Sequence, residues 1–181
     1  RPVIYAGGGL LKARASDALK RFVEATGIHV VTTLMARGVF PDSDPLCLGM
    51  PGMHGNYTSV MAFQRSDLLI NLGARFDDRV TGNAEFFAPD AKIIHVDIDP
   101  AEHGKVRRPD VAIQGDAKRA LEALIVEFQT SAGSTPDRSS WKSTISGWQE
   151  QHPLTYEQAD GGFPLKPQFV LEQLRDNTPD D

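Results

Sequence analysis

The segment Leu68 to Leu72 (LLINL) reads as one continuous apolar strand, with no alternation of polar and apolar positions. A strand of that kind needs cover on both faces, which a parallel sheet flanked by helices provides. Four more short β-prone segments accompany it: Pro2 to Ala6 (PVIYA), His29 to Thr33 (HVVTT), Lys92 to Asp97 (KIIHVD) and Val111 to Gln114 (VAIQ). Helical stretches lie between several of them. Ala15, Leu19, Phe22 and Val23 are spaced for one buried face, with Gly27 as the stop. A second helix begins at Val60 and ends near Ser66, and a third, Ala117 to Gln129, places Leu121, Leu124, Ile125 and Phe128 on one side. This alternation predicts an α/β fold: a doubly wound, mostly parallel sheet of about six strands with helices on both faces.

The expected organisation is one α/β domain over residues 1–135. A linker follows over 136–160, with a helix around Trp141 to Gln151 after the polar tract Thr130 to Ser140. Residues 161–181, with a Gly-Pro loop from Gly161 and a short amphipathic helix from Pro167 to Arg175, read as the start of a following domain. The chain opens on Arg1-Pro2 and runs straight into a strand, which reads as a piece of a longer polypeptide.

Charge and composition narrow the function classes. A net charge of -5 argues against nucleic acid or an anionic membrane as partner. No apolar run approaches the ~20 residues that span a bilayer, and no secretory leader is visible. Cys47 is the single cysteine, which fits a reducing, cytoplasmic setting. Five scattered histidines with no HxxxH or HxH spacing give no reason to expect a metal site.

Chemistry concentrates at the strand ends. Gly7-Gly8-Gly9 follows the first strand, where open α/β sheets bind ligands. Glycines there let the backbone approach a phosphate or flat ring, or simply make a tight turn into a helix. The acid that holds an NAD ribose after the second strand is absent, since that strand ends in Thr32-Thr33. Asp97 and Asp99 end the fourth strand, and Gly115-Asp116 closes the fifth; each acid is either a ligand acceptor or a helix cap. The loop Gly73 to Gly82 (GARFDDRVTG) packs Arg75, Asp77, Asp78 and Arg79 together. Its guanidinium forks match pyrophosphate oxygens, with the aspartates orienting them or facing a neighbouring domain; a solvated salt-bridge loop is the alternative. Met35 to Tyr57 is a long irregular loop, and within it Met53 and His54 suit the face of a flat ring, or plain core filling and a satisfied loop histidine.

Taken in order, GGG, TTLMARGVFPDS, LGMPGMHG, RSDLLINLGARFDDRVTG, HVDIDPAE and QGDA resemble the central domain of the acetolactate synthase (acetohydroxyacid synthase) catalytic subunit, over about residues 2 to 130. The resemblance implies a Rossmann-like fold of the DHS-like NAD/FAD-binding type. It implies an enzyme that condenses pyruvate with pyruvate or 2-ketobutyrate, with decarboxylation, in branched-chain amino acid biosynthesis. Thiamine diphosphate and Mg²⁺ supply that chemistry outside this chain, and FAD sits in this domain. The FAD contacts it implies are Gly7, Gly8, Gly9, Thr33, Leu34, Met35, Gly52, Met53, His54, Gly73, Ala74, Arg75, Asp77, Arg79 and Val80. Asp97, Ile98, Glu102, Gly115, Asp116 and Ala117 continue them, and Asp78 and Arg79 would line the substrate channel. No catalytic residue is expected here, because the thiamine-activating glutamate and the metal-binding motif belong to flanking domains. The implied partners are those thiamine-binding domains, further copies of the chain and a small regulatory subunit. Glyoxylate carboligase, which also carries FAD, and a stand-alone NAD- or FAD-binding module are the competing readings.

Overall fold

A computed structural model describes residues 1–131, 136–157 and 164–179. Its centre is a parallel sheet of strands β1 (Pro2–Ala6), β2 (His29–Thr32), β3 (Leu68–Leu72), β4 (Lys92–Asp97) and β5 (Val111–Gln114), ordered β2-β1-β3-β4-β5. Every pairing is parallel, from Val3 opposite His29 at one side to Asp97 opposite Gln114 at the other.

The sheet has five strands, not about six. Beside β2, where a sixth would lie, the chain makes a single parallel bridge, Cys47 to Val30. Val30 N donates to Leu46 O (2.8 Å), Leu48 N to Val30 O (2.8 Å) and Thr32 N to Gly49 O (2.9 Å). Pro45 ahead of this stretch lacks a ladder donor, and Gly49 behind it turns at φ +86°, so the extended run is too short to become a strand.

Seven helices complete the described fold: α1 (Gly8–Lys12), α2 (Ser16–Thr26), α3 (Tyr57–Arg65), α4 (Asp78–Thr81), α5 (Ala117–Ser131), α6 (Ser139–Gln151) and α7 (Pro167–Asp176). Alternate residues of each strand face opposite sides. Ile4, Ala6, Ile70, Leu72 and Val96 pack with α1, α2 and α5 through Leu10, Leu19, Phe22 and Leu121. Val3, Tyr5, Leu69 and Ile93 pack on the other side with α3 and α6 through Phe63, Trp141 and Ile145. Two separate apolar layers therefore cover the middle of the sheet, which is why the central strands β1 and β3 read as nearly unbroken apolar runs, whereas the edge strand β5 is largely exposed.

The helix expected inside the linker packs on this second layer. Trp141 is buried, and its Nε1 donates to the Pro2 carbonyl at 3.3 Å. α7 exposes Val170, Leu171 and Leu174, and the Tyr156 hydroxyl donates to Glu172 Oε2 at 2.6 Å. Residues 132–135 of the polar tract, residues 158–163 with the linker's end and the start of the Gly-Pro loop, and residues 180–181 lie outside the described residues.

Chain direction across the sheet decides where a ligand fits. From β1 the chain moves outward to β2, then returns past β1 to β3 and on to β5. The carboxyl ends of β1 and β3 thus flank the point where the winding reverses, and a crevice opens there in sheets of this kind.

Candidate functional site

The crevice is founded on a backbone seam. Gly7 N donates to Leu72 O and Gly9 N to Gly73 O, both at 3.0 Å. A Cβ on Gly7 would stand 2.1 Å from Gly73 O, closer than any real contact. Gly7 is therefore a packing glycine, buried between the two turns, whereas Gly8 and Gly9 line the open space above. Gly73 answers from the other side with φ +65°, where L side chains are strained. Asn71, fully buried in β3, fixes the turn that follows: its Nδ2 donates to Ala74 O (2.8 Å) and its Oδ1 accepts from Ala74 N (3.0 Å).

Over this seam lie two connected cavities of about 880 and 410 Å³, sizes usual for small-molecule and cofactor sites. They share Thr33, Met35 and Asp77, and so form one elongated cleft. The larger gathers Gly8, Gly9, Gly73, Ala74, Arg75, Asp97, Ile98, Glu102, Gly115, Asp116 and Ala117 from the ends of four strands. The smaller gathers Leu34, Met53, His54, Arg79 and Val80. Of the sequence-derived candidates, Gly7, Gly52 and Asp78 line neither. Gly52 has φ +89° and would place a Cβ 2.4 Å from Arg79 O, so it holds the 50–55 loop against the charged loop. Asp78 opens α4, exposed on its outer side.

The acids divide their duties. Asp77 caps α4 by accepting from Arg79 N (3.0 Å), and Asp99 caps the single turn Pro100–Glu102 by accepting from Ala101 N (2.9 Å). Asp116 Oδ1 accepts from Arg119 N (3.0 Å) in the first turn of α5. Asp97 Oδ1 accepts from Asp99 N (2.9 Å), and Glu102 pairs with Lys105 (2.9 Å). Capping and ligand reception, the two readings of these carboxylates, are compatible, because each cap uses one oxygen of two.

The cations are less engaged. Arg75 is exposed in the larger cavity and has no hydrogen bond or ion pair among the described residues. Arg79 reaches Asp78 only at 4.0 Å, with both side chains largely in solvent, and its Nη1 lies 3.9 Å from Met53 Sδ. An exposed pair of that length contributes little, so both guanidiniums are available to an anion.

At the other end the cleft is apolar. Leu34, Met35 and Met53 are 70, 75 and 65% exposed, an unusual surface for side chains that fill cores elsewhere. Beneath them the Tyr5 ring is wedged against Phe63 (centroids 5.0 Å, edge to face) and Phe76 (6.0 Å). The Tyr5 hydroxyl and Thr33 Oγ1 are buried without a partner among the described residues. Burial, with the Asp77 charge adding to it, raises the Tyr5 pKa far above the usual phenol range and keeps the hydroxyl protonated.

Several lining residues escaped the sequence. Leu11, Lys12 and Ala13 reach the larger cavity from α1, so Lys12 adds a cation there. Tyr5, Met50 and Pro51 line the smaller. Asn71 was signalled by the one polar letter in LLINL. Asn56 was signalled by its place before a helix: its Oδ1 accepts from Ser59 N (2.7 Å) and its Nδ2 donates to Leu48 O (2.6 Å), tying α3 to the irregular loop.

Comparison with known proteins places this geometry in context. Residues 1–124 match the family model described as thiamine pyrophosphate enzyme, central domain. The chain is 53% identical over 174 residues to the acetolactate synthase large subunit of Corynebacterium glutamicum, covering 96% of this chain and 28% of that one. It is 44% identical over 180 residues to the acetolactate synthase large subunit of Parasynechococcus marenigrum, covering 99% and 29%. It is 47% identical over 180 residues to acetolactate synthase 1, chloroplastic, of Zea mays, covering 98% and 27%. The chain thus spans little more than a quarter of the length of these relatives.

Proposed function

The chain belongs to the family of thiamine pyrophosphate enzyme central domains, and from that premise we propose that it is the FAD-binding central domain of an acetolactate synthase large subunit. The observation that carries the reading is Arg75, an unpaired guanidinium over a glycine seam at the reversal point of the sheet. A cleft that is polar at one end, cationic in the middle and methionine-rich at the other fits an adenosine, a pyrophosphate and a flat tricyclic ring in that order.

In this reading Gly8, Gly9 and Gly73 admit the pyrophosphate close to the backbone, and Arg75 and Arg79 hold it. Asp97, Glu102, Gly115, Asp116 and Ala117 receive the adenosine end, while Thr33, Leu34, Met35, Met53, His54 and Val80 receive the ring. The acetolactate synthase reaction, joining pyruvate to pyruvate or 2-ketobutyrate with loss of CO₂, belongs to the whole enzyme. Thiamine diphosphate with Mg²⁺ supplies its carbanion chemistry from neighbouring domains, and Asp78 and Arg79 face the substrate route. Further copies of the chain and a regulatory subunit complete the assembly, in the cytoplasm. No helix among the described residues is long and apolar enough to cross a membrane.

Flavin fluorescence titration of this chain, with NAD as control, tests the reading. Saturable FAD binding weakened at least tenfold in Arg75→Ala, with no response to NAD, is expected. Tight NAD binding, or a folded chain that ignores FAD, would overturn it. The chain supplied with pyruvate, thiamine diphosphate and Mg²⁺ is expected to form no acetolactate.

A further inference from the structure

Behind the polar end of the cleft lies a pair of histidines, His95 fully buried and His103 half-buried, that none of the roles above uses. His95 is fully buried in β4, on the same face as Asp97 two residues on. The His103 ring stands against it, centroids 4.8 Å apart and nearly perpendicular, and Phe76 closes the other side at 5.3 Å. All four imidazole nitrogens are buried without a well-formed hydrogen bond among the described residues. Such a cluster is costly unless something depends on it.

What lies nearest is a cleft carboxylate. His95 Nε2 is 3.8 Å from Asp97 Oδ2, too far for a hydrogen bond but close enough for one to form with a small movement. Asp97 Oδ1 is committed to the Asp99 amide, and Oδ2 has no hydrogen bond among the described residues. We propose that His95, backed by His103, is a positioning residue for Asp97: with His95 neutral Asp97 Oδ2 faces the ligand, and with His95 protonated it turns to the imidazolium and leaves the cleft. The proton comes from solvent, and His95 holds it on Nε2 against Asp97. This rests on the FAD reading for its ligand, but not for the motion itself.

The balance of charges around His95 sets the direction. Burial lowers its pKa most, and His103 pushes the same way; Asp97, the Ala74 carbonyl and Glu102 oppose them more weakly. Neutral His95 is thus the state at neutral pH, and protonation begins only below the ordinary histidine value of about 6.5. Ligand binding should therefore be full at pH 7.5 and fall on acidification.

FAD titrations at pH 7.5 and 5.5 test this on the wild-type chain, His95→Phe and His103→Phe. The wild type should lose affinity on acidification, by less than about tenfold at pH 5.5, because His95 is held below the ordinary histidine value. His95→Phe should lose much less, and His103→Phe should begin its loss at higher pH, because one opposing charge is gone. An equal loss in wild type and His95→Phe overturns the proposal. Carbon-13 NMR of the wild type supplies a readout that needs no ligand or variant. An Asp97 carboxyl shift sharing the His95 ring's titration midpoint supports the proposal, and one that ignores it overturns the proposal. If FAD binds at neither pH, the cofactor reading fails alone and the NMR titration still decides the motion.

Discussion

The two ends of the cleft are built from opposite materials. At the β4–β5 end, Asp97, Asp99 and Asp116 are each fixed by a backbone amide at 2.9 to 3.0 Å. At the other end, Leu34, Met35 and Met53 stand in solvent on a stretch with one 3-10 turn and no strand. The first surface is set in place before any ligand arrives, by the hydrogen bonds that end its strands and start its helices. The second is shaped largely by Met35 and Met53, unbranched side chains with many rotamers that can adapt to a ligand. Substitutions should therefore cost stability and binding together at the first end, and binding alone at the second.

The seam common to both ends should give the largest effect. Gly7→Val drives a side chain into Gly73 O and Ala74 N and is expected to cost about 4 kcal/mol or more. Urea unfolding should show it, and FAD binding should vanish at both ends at once. Next comes a background that acts on the whole fold. Buried His29, at the amino end of β2, has its pKa lowered from 6.5 to about 4 by burial first and Lys142 second. A depressed histidine is neutral when folded, so its contribution is intact above pH 6.5 and is lost as pH falls toward 4. Roughly 3 kcal/mol of stability should disappear over that window, and His29→Leu should flatten the slope in pH-dependent unfolding.

Asn71→Ala leaves Ala74 N and O unpaired in the interior and should cost about 2–3 kcal/mol by urea unfolding, with weaker binding because the Arg75 loop loses its footing. Asp116→Ala removes the α5 cap and should lower stability by about 1 kcal/mol while also weakening FAD binding. Met53→Ala should leave stability within about 0.5 kcal/mol yet reduce FAD affinity a few-fold. If Met53→Ala destabilised the apo chain as much as Asp116→Ala, the contrast between the two ends would be lost.

The sheet was legible because parallel strands hidden on both faces leave unbroken apolar runs. Leu68–Leu72 begins and ends where such a run does, Lys92–Asp97 and the exposed edge strand Val111–Gln114 keep their expected bounds, and His29–Thr32 stops one residue short of the expected end. The absent strand shows the limit. Leu46 to Leu48 has the composition of a strand edge, but the proline and glycine around it allow one bridge only. At the cleft, charge clusters at strand ends pointed to loops that line one elongated cavity. They did not reveal that Gly7 serves the seam and Gly8 the open space, because that depends on β3 arriving within 3 Å of β1. Nor did they reveal Asn71, whose partner is a backbone turn three residues on. The histidine pair is invisible in the same way, since His95 and His103 meet only after the chain folds back beyond Pro100.

The strand order also governs how the chain is assembled in time. β1 lies inside the sheet, yet its β3 partner follows 66 residues later, and the tryptophan that clasps its first carbonyl is 139 residues away. At a synthesis rate of about 5–20 residues per second, β1 waits several seconds for β3, and longer for Trp141. During that interval one apolar edge of a central strand has no neighbour. Such an edge invites wrong pairing, so a nascent chain of this order has reason to stay shielded until the second half of its sheet has been made.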